Sequence, residues 1–444
     1  MNLLFYRKGV GDEPFDAFPL TLQENGYWMV TIPGDHAGVY YAFQARFHGG
    51  WKKPVPDPYA KAVGINGYRA QIINIAATNP AGWENDRTEN LPPFLYPTDA
   101  VLYETHIRDF SMHAHSGIQH KGKYLSLTET NTRNKAGDTT GLSYLKTLGI
   151  THLHLLPCND MGSVDETNPT YNWGYDPFHY SAPEGSYAME PDGSARILEV
   201  RKMVQSLAQV GLRVVMDVVY NHTHSAGQDD PTSVLDRVVP DYYYRLDSAG
   251  GIQNSSCCAD TASEHAMMEK LMIDSLRLWA RQYKIDGFRF DFMGHHTTAN
   301  LKHVREALSA LTPAKDGVDG TKIYLYGEAW KFGSLVDILP DQAFDQGHAF
   351  GSGIGSFNDR IRDSIRGGGP FSGLSDQGFA TGLADDYNQN PANEETPTDA
   401  DGRRRKLGEL GDAIVLGLAG NLRDYVFTGA DGKPIKGADV KYRG

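Results

Sequence analysis

An alternating α/β chain, with βα units around a parallel sheet behind a small β sandwich, is the fold class predicted for this sequence. Three observations carry the prediction. Apolar runs of strand length alternate with polar loops and amphipathic helices, which is the pattern of a parallel sheet. The first hundred residues show short alternating runs and no helical period. The length, 444 residues, exceeds one ordinary domain and accommodates a (β/α)8 barrel of about 250 residues with an appended module.

The sandwich is expected over residues 1–95, from runs such as Tyr27–Ile32 (YWMVTI) and Val39–Phe47 (VYYAFQARF) punctuated by Gly, Pro and Asp. Trp28, Tyr40, Tyr41 and Trp51 offer flat faces suited to sugar rings, although most of these rings are expected in the module's core. A proline-rich hinge, Leu91–Pro97 (LPPFLYP), introduces the barrel segment, residues 96–444. Its strands are expected at Val101–Ile107, Ile150–Leu156, Leu212–Val219, Ile285–Asp291 and Ile323–Glu328. Core-facing helical stripes run through Ile197, Val200, Val204, Leu207 and Ala208, and through Met268, Leu271, Met272, Ser275, Leu278 and Trp279. An excursion without a helix is expected at about 223–264, after the third strand.

Composition excludes several function classes. Lys and Arg total 42 against 55 Asp and Glu, a net charge of −13, which repels a phosphate backbone. No run approaches the roughly 18 apolar residues of a membrane span. The opening residues Met1–Tyr6 lack a basic n-region and a full apolar core, so the chain as written carries no export signal. Three cysteines do not staple a fold of this size. For the neighbours Cys257 and Cys258, whose Cα atoms lie about 3.8 Å apart, two free thiols or a strained vicinal bridge are both open, and free thiols are the simpler expectation. Zinc spacing is absent, since His222 and His224 share a loop and His295 and His296 are adjacent.

The chemistry is carried by carboxylates. Side chains two apart on a strand share a face, so Arg289 and Asp291 of Gly287–Asp291 (GFRFD) project together while Phe288 and Phe290 point away. On the third strand Val215, Asp217 and Val219 share a face, with Asn221 and His222 just beyond its end. Glu328 closes the fifth strand. A single acid at such a place is most simply a helix cap, but three strands ending in or near a carboxylate describe a cleft at the C-terminal face of a barrel. Glycoside hydrolysis uses such a pair: one carboxylate ionised to attack or stabilise the sugar carbon, the other protonated for the leaving oxygen. Arg289 is expected to hold Asp291 ionised, and Glu328, beside Ala329 and Trp330, to be the acid.

These residues resemble the α-amylase superfamily, and specifically its type I pullulanases. Asp217–His222 (DVVYNH), Gly287–His295 (GFRFDFMGH) and Tyr326–Trp330 (YGEAW) resemble that family's first three conserved regions, and Tyr171–Pro177 (YNWGYDP) its debranching motif. Ser256–Leu271 and Gly367–Phe371 (GGGPF) extend the similarity along the chain. The resemblance implies that Asp291 is the nucleophile and Glu328 the general acid and base of a retaining hydrolase of α-1,6 branch linkages in pullulan, starch, glycogen and limit dextrins. It implies that Arg289 orients Asp291, that Tyr175 stacks on the cleaved glucose, that Trp173, Asp176 and His222 contact sugar, and that His295 and Trp330 line the product side. Asp217 and Asn221 would be structural. No cofactor is implied for the chemistry. Calcium is the metal that the resemblance suggests, through Asn221 and nearby Asp residues, without a defined ligand set. A monomer acting on branched α-glucan, outside the bacterial cytoplasm, completes the expectation.

The departure from the family concerns its third catalytic carboxylate, which comes after the seventh barrel strand in a His-Asp motif that has no match here. Six strands at most are expected and the chain ends at Lys441–Gly444 (KYRG), so a chain truncated at both ends, with a partial sandwich module and a barrel incomplete at its C-terminus, and a fragment with little activity are the expectation. Rival readings are an isoamylase, amylopullulanase or branching enzyme, told apart by product pattern, and a non-catalytic glycan-binding relative, told apart by whether the third carboxylate exists. Retention requires the Asp291 and Glu328 carboxyls to lie about 5–5.5 Å apart, against roughly 6.5–9.5 Å for inversion.

Overall fold

The computed structural model describes residues 1–85, 91–369, 371–388 and 398–440; Pro370 and Lys441–Gly444 lie outside them. Packing forms two compact units, 1–356 and 357–444, and so divides the chain elsewhere than at residue 95. The N-terminal segment is tied to the barrel segment: the Tyr40 hydroxyl donates to Asp192 at 2.8 Å, the Asn66 amide to Glu166 at 2.7 Å, and Arg237 to the Pro54 carbonyl at 2.7 Å.

That N-terminal segment is one four-stranded antiparallel sheet in the order Asp16–Pro19, Asn2–Tyr6, Tyr40–Gln44, Ala70–Gln71. The second sheet of the expected sandwich is reduced to two short ladders, Thr21–Leu22 with Trp28–Met29 and Arg46–Phe47 with Gly50–Trp51. Tyr40 is buried beside Leu4, Tyr6 and Ala42, whereas Trp28 and Trp51 are exposed. The ladders that carry these tryptophans have no second layer to bury them, so fewer aromatics serve the core than expected.

The larger sheet is parallel throughout. It comprises β1 (Leu102–Thr105), β2 (His152–Leu155), β3 (Arg213–Val218), β4 (Gly287–Phe290), β5 (Tyr324–Gly327) and β6 (Gly355–Ser356). The spatial order matches the chain order, with β1 and β6 at the edges, as in a curled, incomplete (β/α)8 barrel. Five strands fall inside the expected ranges. The sixth is two residues long, too short for a periodic signal.

Two of the helices that pack into the sheet's core carry the expected stripes. Helix α1 (Ala195–Gln209) buries all five expected residues, and Met203 with them. Helix α2 (Ala266–Gln282) buries Met268, Leu271, Met272, Ser275, Leu276 and Trp279. Leu276, not the expected Leu278, belongs to the stripe, because positions three, four, seven, eight and eleven after Met268 share a face of a 3.6-residue helix. The Trp279 indole, fully buried, donates to the Tyr180 carbonyl at 2.8 Å, which removes the cost of an unpaired N–H.

The excursion after β3 contains a single helical turn, Leu235–Val238, where none was expected; four residues are too few to show a period. Unit 357–444 pairs helices Asp359–Arg366 and Ala400–Leu418 with a hairpin, Val426–Thr428 and Pro434–Lys436, over a core of Ala413, Leu416 and Val440. No helix among the described residues is long and apolar enough to cross a membrane.

Candidate active site

Strand register brings the site together. In the β3–β4 pairing Asp217 lies opposite Arg289, and in the β4–β5 pairing Arg289 lies opposite Tyr326. Same-face neighbours on adjacent strands stand about 5 Å apart, close enough for an ion pair. Phe288 and Phe290 face the opposite side and are fully buried in the core.

Arg289 is the hub. Its Nη1 contacts Asp217 Oδ1 at 2.9 Å and Asp291 Oδ1 at 3.0 Å, and its Nη2 contacts Glu328 Oε1 at 2.6 Å. One planar fork thus holds the two candidate catalytic carboxylates and the supporting one, a geometry a lysine cannot reproduce. Burial alone would lower the guanidinium's pKa; Asp217 and Glu328 outweigh it and keep the charge fixed.

Asp291 comes directly after β4, its amide still bonded to the Val218 carbonyl at 3.0 Å. Its Oδ2 accepts from Asn221 Nδ2 at 3.1 Å. Burial raises the Asp291 pKa to about 6 despite Arg289, and Asp217 adds to the rise. The expectation that Arg289 holds this carboxyl low is therefore corrected: desolvation in the strand-end pocket exceeds the guanidinium's pull, which is shared among three carboxylates. Glu328 is raised as well, again first by burial.

Phe292 has a left-handed backbone, φ 36° and ψ 57°, an uncommon conformation for a bulky residue. It swings the Phe292 amide to donate to Glu328 Oε2 at 3.2 Å. Two residues on, Gly294 has no room for a Cβ, which would meet the Trp330 carbonyl at 2.0 Å. The β4 turn thereby fixes both candidate catalytic groups, and no sequence period announces it.

The Tyr175 ring lies beside the Arg289 guanidinium, 5.8 Å from its centroid, and its hydroxyl donates to Asp217 Oδ2 at 2.8 Å. It is half-buried and wired into the carboxylate network as well as facing the cleft. Trp173 is 61% exposed, with its side chain hydrogen-bonded to Tyr171. Asp176 ties its own loop, accepting from the Ser163 amide at 2.9 Å and Asn172 at 3.1 Å. Burial pushes Asp176 up, but hydrogen bonds from His224 and Ser163 win and its pKa falls.

His222 accepts at Nδ1 from Asn221 at 3.0 Å and donates from Nε2 to the Tyr175 carbonyl at 2.8 Å. Burial lowers its pKa. His295 is 1% exposed, under the rings of Phe292 and Phe332, with neither ring nitrogen bonded. Trp330 is half-buried. The register thus gathers Asp217, Arg289, Asp291 and Glu328, with Asn221, His222 and Tyr175 around them, while Trp173 and Asp176 belong to the adjoining loop.

Cys257 and Cys258 are joined to each other, contrary to the expectation of two free thiols; the turn that ends at Asp260 brings their sulfurs together despite adjacent Cα atoms 3.8 Å apart. Sequence reasoning also missed a buried cluster of Asp160, Glu166 and Glu184 around Arg196, which contacts Asp160 at 2.8 Å and Glu166 at 2.9 Å. Burial drives Asp160 up and Glu184 to about 7. The only available signal was an arginine within an apolar helical stripe. Asn221, the residue suggested for calcium, turns its N–H groups toward Asp291 and His222 and leaves its Oδ1 without a hydrogen-bond partner. In the acidic cluster the Arg196 guanidinium already supplies the positive charge.

Residues 126–256 match the alpha amylase catalytic domain family. The chain is 37% identical to pullulanase 1, chloroplastic, of Arabidopsis thaliana, across 99% of this chain and 48% of that protein. It is 41% identical to a pullulanase of Bacillus subtilis strain 168, across 82% and 48%. Among solved structures, the maltotriose complex of the PulA-G680L mutant from Klebsiella pneumoniae superposes with a TM-score of 0.82 at 30% identity, covering 99% of this chain and 54% of that one. The chain spans about half the length of the curated relatives it matches.

Proposed function

This chain belongs to the pullulanase-like branch of the α-amylase superfamily, and from that premise we propose that the whole protein is a retaining hydrolase of α-1,6 branch linkages in α-glucans such as pullulan, starch, glycogen and limit dextrin. The observation that carries the proposal is the single guanidinium of Arg289 spanning Asp291 and Glu328. In the proposed reaction Asp291 attacks the anomeric carbon as the glycosidic bond breaks, and the Glu328 proton passes to the leaving oxygen. Water then releases the glycosyl ester, giving its proton back to Glu328.

Asp291 must be ionised at the attack, which at neutral pH it is, its pKa standing near 6. Asn221 and Arg289 hold its two oxygens and leave it one orientation toward the sugar. Tyr175 and Trp173 supply ring faces for glucose units, and His222 reaches the sugar only if it gives up the Tyr175 carbonyl. The proposal includes no metal in the chemistry, a monomer, and a site of action outside the bacterial cytoplasm, which cell fractionation tests.

The test is incubation of the protein with pullulan and NMR of the earliest product. Maltotriose released as the α-anomer is expected. Panose as the product, or a β-anomer formed first, would overturn the reading of linkage or of mechanism respectively.

A further inference from the structure

The vicinal cysteines sit beside the candidate active site because of a short ladder. His222–Thr223 pairs antiparallel with Ala259–Asp260, His222 opposite Asp260, so the two residues before Ala259 are Cys257 and Cys258. The turn is anchored: the Ser255 amide donates to Asp260 Oδ1 at 3.1 Å, the Ser334 amide to Ser255 Oγ at 2.7 Å, and the Ser334 hydroxyl to Asp260 Oδ2 at 2.5 Å. Cys257 Sγ lies 3.8 Å from His222 Nε2, and one ligand atom from each of His222, Cys257 and Cys258 falls within 4.8 Å of the others. Cys257 is exposed and Cys258 half-buried, so reductants and ions reach the sulfurs, while His222 is buried behind them.

We propose that the reduced protein binds a soft divalent cation of the zinc, cobalt or cadmium class through Cys257, Cys258 and His222, and that binding unlatches the hydrogen bonds holding Tyr175 and Asp291. Bonded to each other, the sulfurs have no thiolate to offer. A phosphine with one water reduces the pair: the S–S bond takes two electrons and two protons to give two thiols, and the phosphine becomes its oxide. Cation binding then releases the two thiol protons. Two sulfurs and one imidazole make a three-ligand site that leaves a fourth tetrahedral position open.

The cost falls on the neighbouring hydrogen bonds. Nε2 carries the proton it donates to the Tyr175 carbonyl, so ligation at Nε2 moves that proton to Nδ1 and breaks the bond. Nδ1 then faces Asn221 as a donor, and the amide must turn to present Oδ1, which has no partner at present. Turning it takes Nδ2 away from Asp291 Oδ2. Occupation of the cation site is thus transmitted to both the Tyr171–Pro177 loop and Asp291 through one amide.

The inference stands apart from the hydrolase reading, and its test needs no substrate. Phosphine-treated, dialysed protein is titrated with cobalt(II) without oxygen. Thiolate-to-cobalt charge-transfer bands and tetrahedral d–d bands saturating at one equivalent are expected, with none in untreated protein. Cys257→Ser and Cys258→Ser should each weaken binding at least tenfold, as should His222→Gln, whose bands should also shift. Equal bands in the untreated chain, or in the double Cys257→Ser/Cys258→Ser variant, would overturn the site. Release of the loop is read with zinc by the emission of Trp173, identified by its loss in Trp173→Phe. A zinc-dependent shift confined to reduced protein is expected; saturated zinc binding without any shift would overturn the coupling.

Discussion

Asp291 combines a buried carboxyl with a pKa pushed to about 6, and two outcomes are expected of that residue. Asp291→Asn keeps shape and removes the attacking charge, so kcat should fall by several orders of magnitude while maltotriose affinity is kept, measured on the whole protein. In the wild type, kcat/KM should fall about tenfold per pH unit below about pH 6, as the free protein's nucleophile takes up its proton. Its effect on stability has the opposite sign to that of an ordinary paired acid. In the fold Asp291 keeps a proton to about pH 6, whereas the unfolded chain loses it near pH 4. The native state therefore binds more protons between those values, and this group's contribution to stability declines as pH rises from about 4 to about 6. Asp291→Asn should flatten that stretch of the thermal-midpoint profile without lowering the midpoint at pH 7.

Helix α1 carries two fully buried arginines, and Arg196 shows what such a residue does for an element. Its guanidinium joins the helix to Asp160 and Glu166 and donates to the Pro183 carbonyl at 2.9 Å. Arg196→Met fills the volume but strands two carboxylates without their cation. Breaking one side of a buried pair costs about 3–5 kcal/mol, which should appear as a fall of several degrees in thermal midpoint at pH 7, smaller at acid pH where Asp160 and Glu184 accept protons. A midpoint unchanged at both pH values would mean that the cluster is neutral in the fold. At the Tyr171–Pro177 loop, Tyr175→Phe removes only the hydroxyl bond to Asp217, and a loss of about 1 kcal/mol in stability is expected; denaturant titration measures it. Tyr175→Ala removes the ring from beside Arg289 as well, so a larger, measurable drop in thermal midpoint is expected.

Across the molecule, the open parallel sheet decides solution behaviour. Edge strand β1 and its lead-in expose Val101 at 50%, Leu102 at 37% and Tyr103 at 39%, and a groove of about 690 Å³ beside them is lined by Tyr103, Phe110, His113, Ile118 and Tyr144. An exposed apolar edge is a template for pairing with other chains. The 444-residue chain by itself should self-associate with rising concentration, and Leu102→Lys with Tyr103→Lys should reduce it, both read by light scattering. Scattering independent of concentration in the unmodified chain would show that the edge is already covered.

The parallel sheet, its first five strands, the core of α1, most of that of α2 and the gathering of carboxylates at the strand ends were legible in the amino-acid order, because periods of two and 3.6 residues and strand-end positions are local properties. So was the common face of Arg289 and Asp291. Features that depend on the distance between segments far apart in the chain were not legible, and folding alone sets them. The pKa of Asp291 is one such case, since burial and a guanidinium divided among three carboxylates reverse the sign expected from one neighbour. The left-handed turn at Phe292, the Arg196 cluster and the meeting of His222 with Cys257 and Cys258 are others. Each rests on register or desolvation, quantities that arise only when strands distant in sequence are packed side by side.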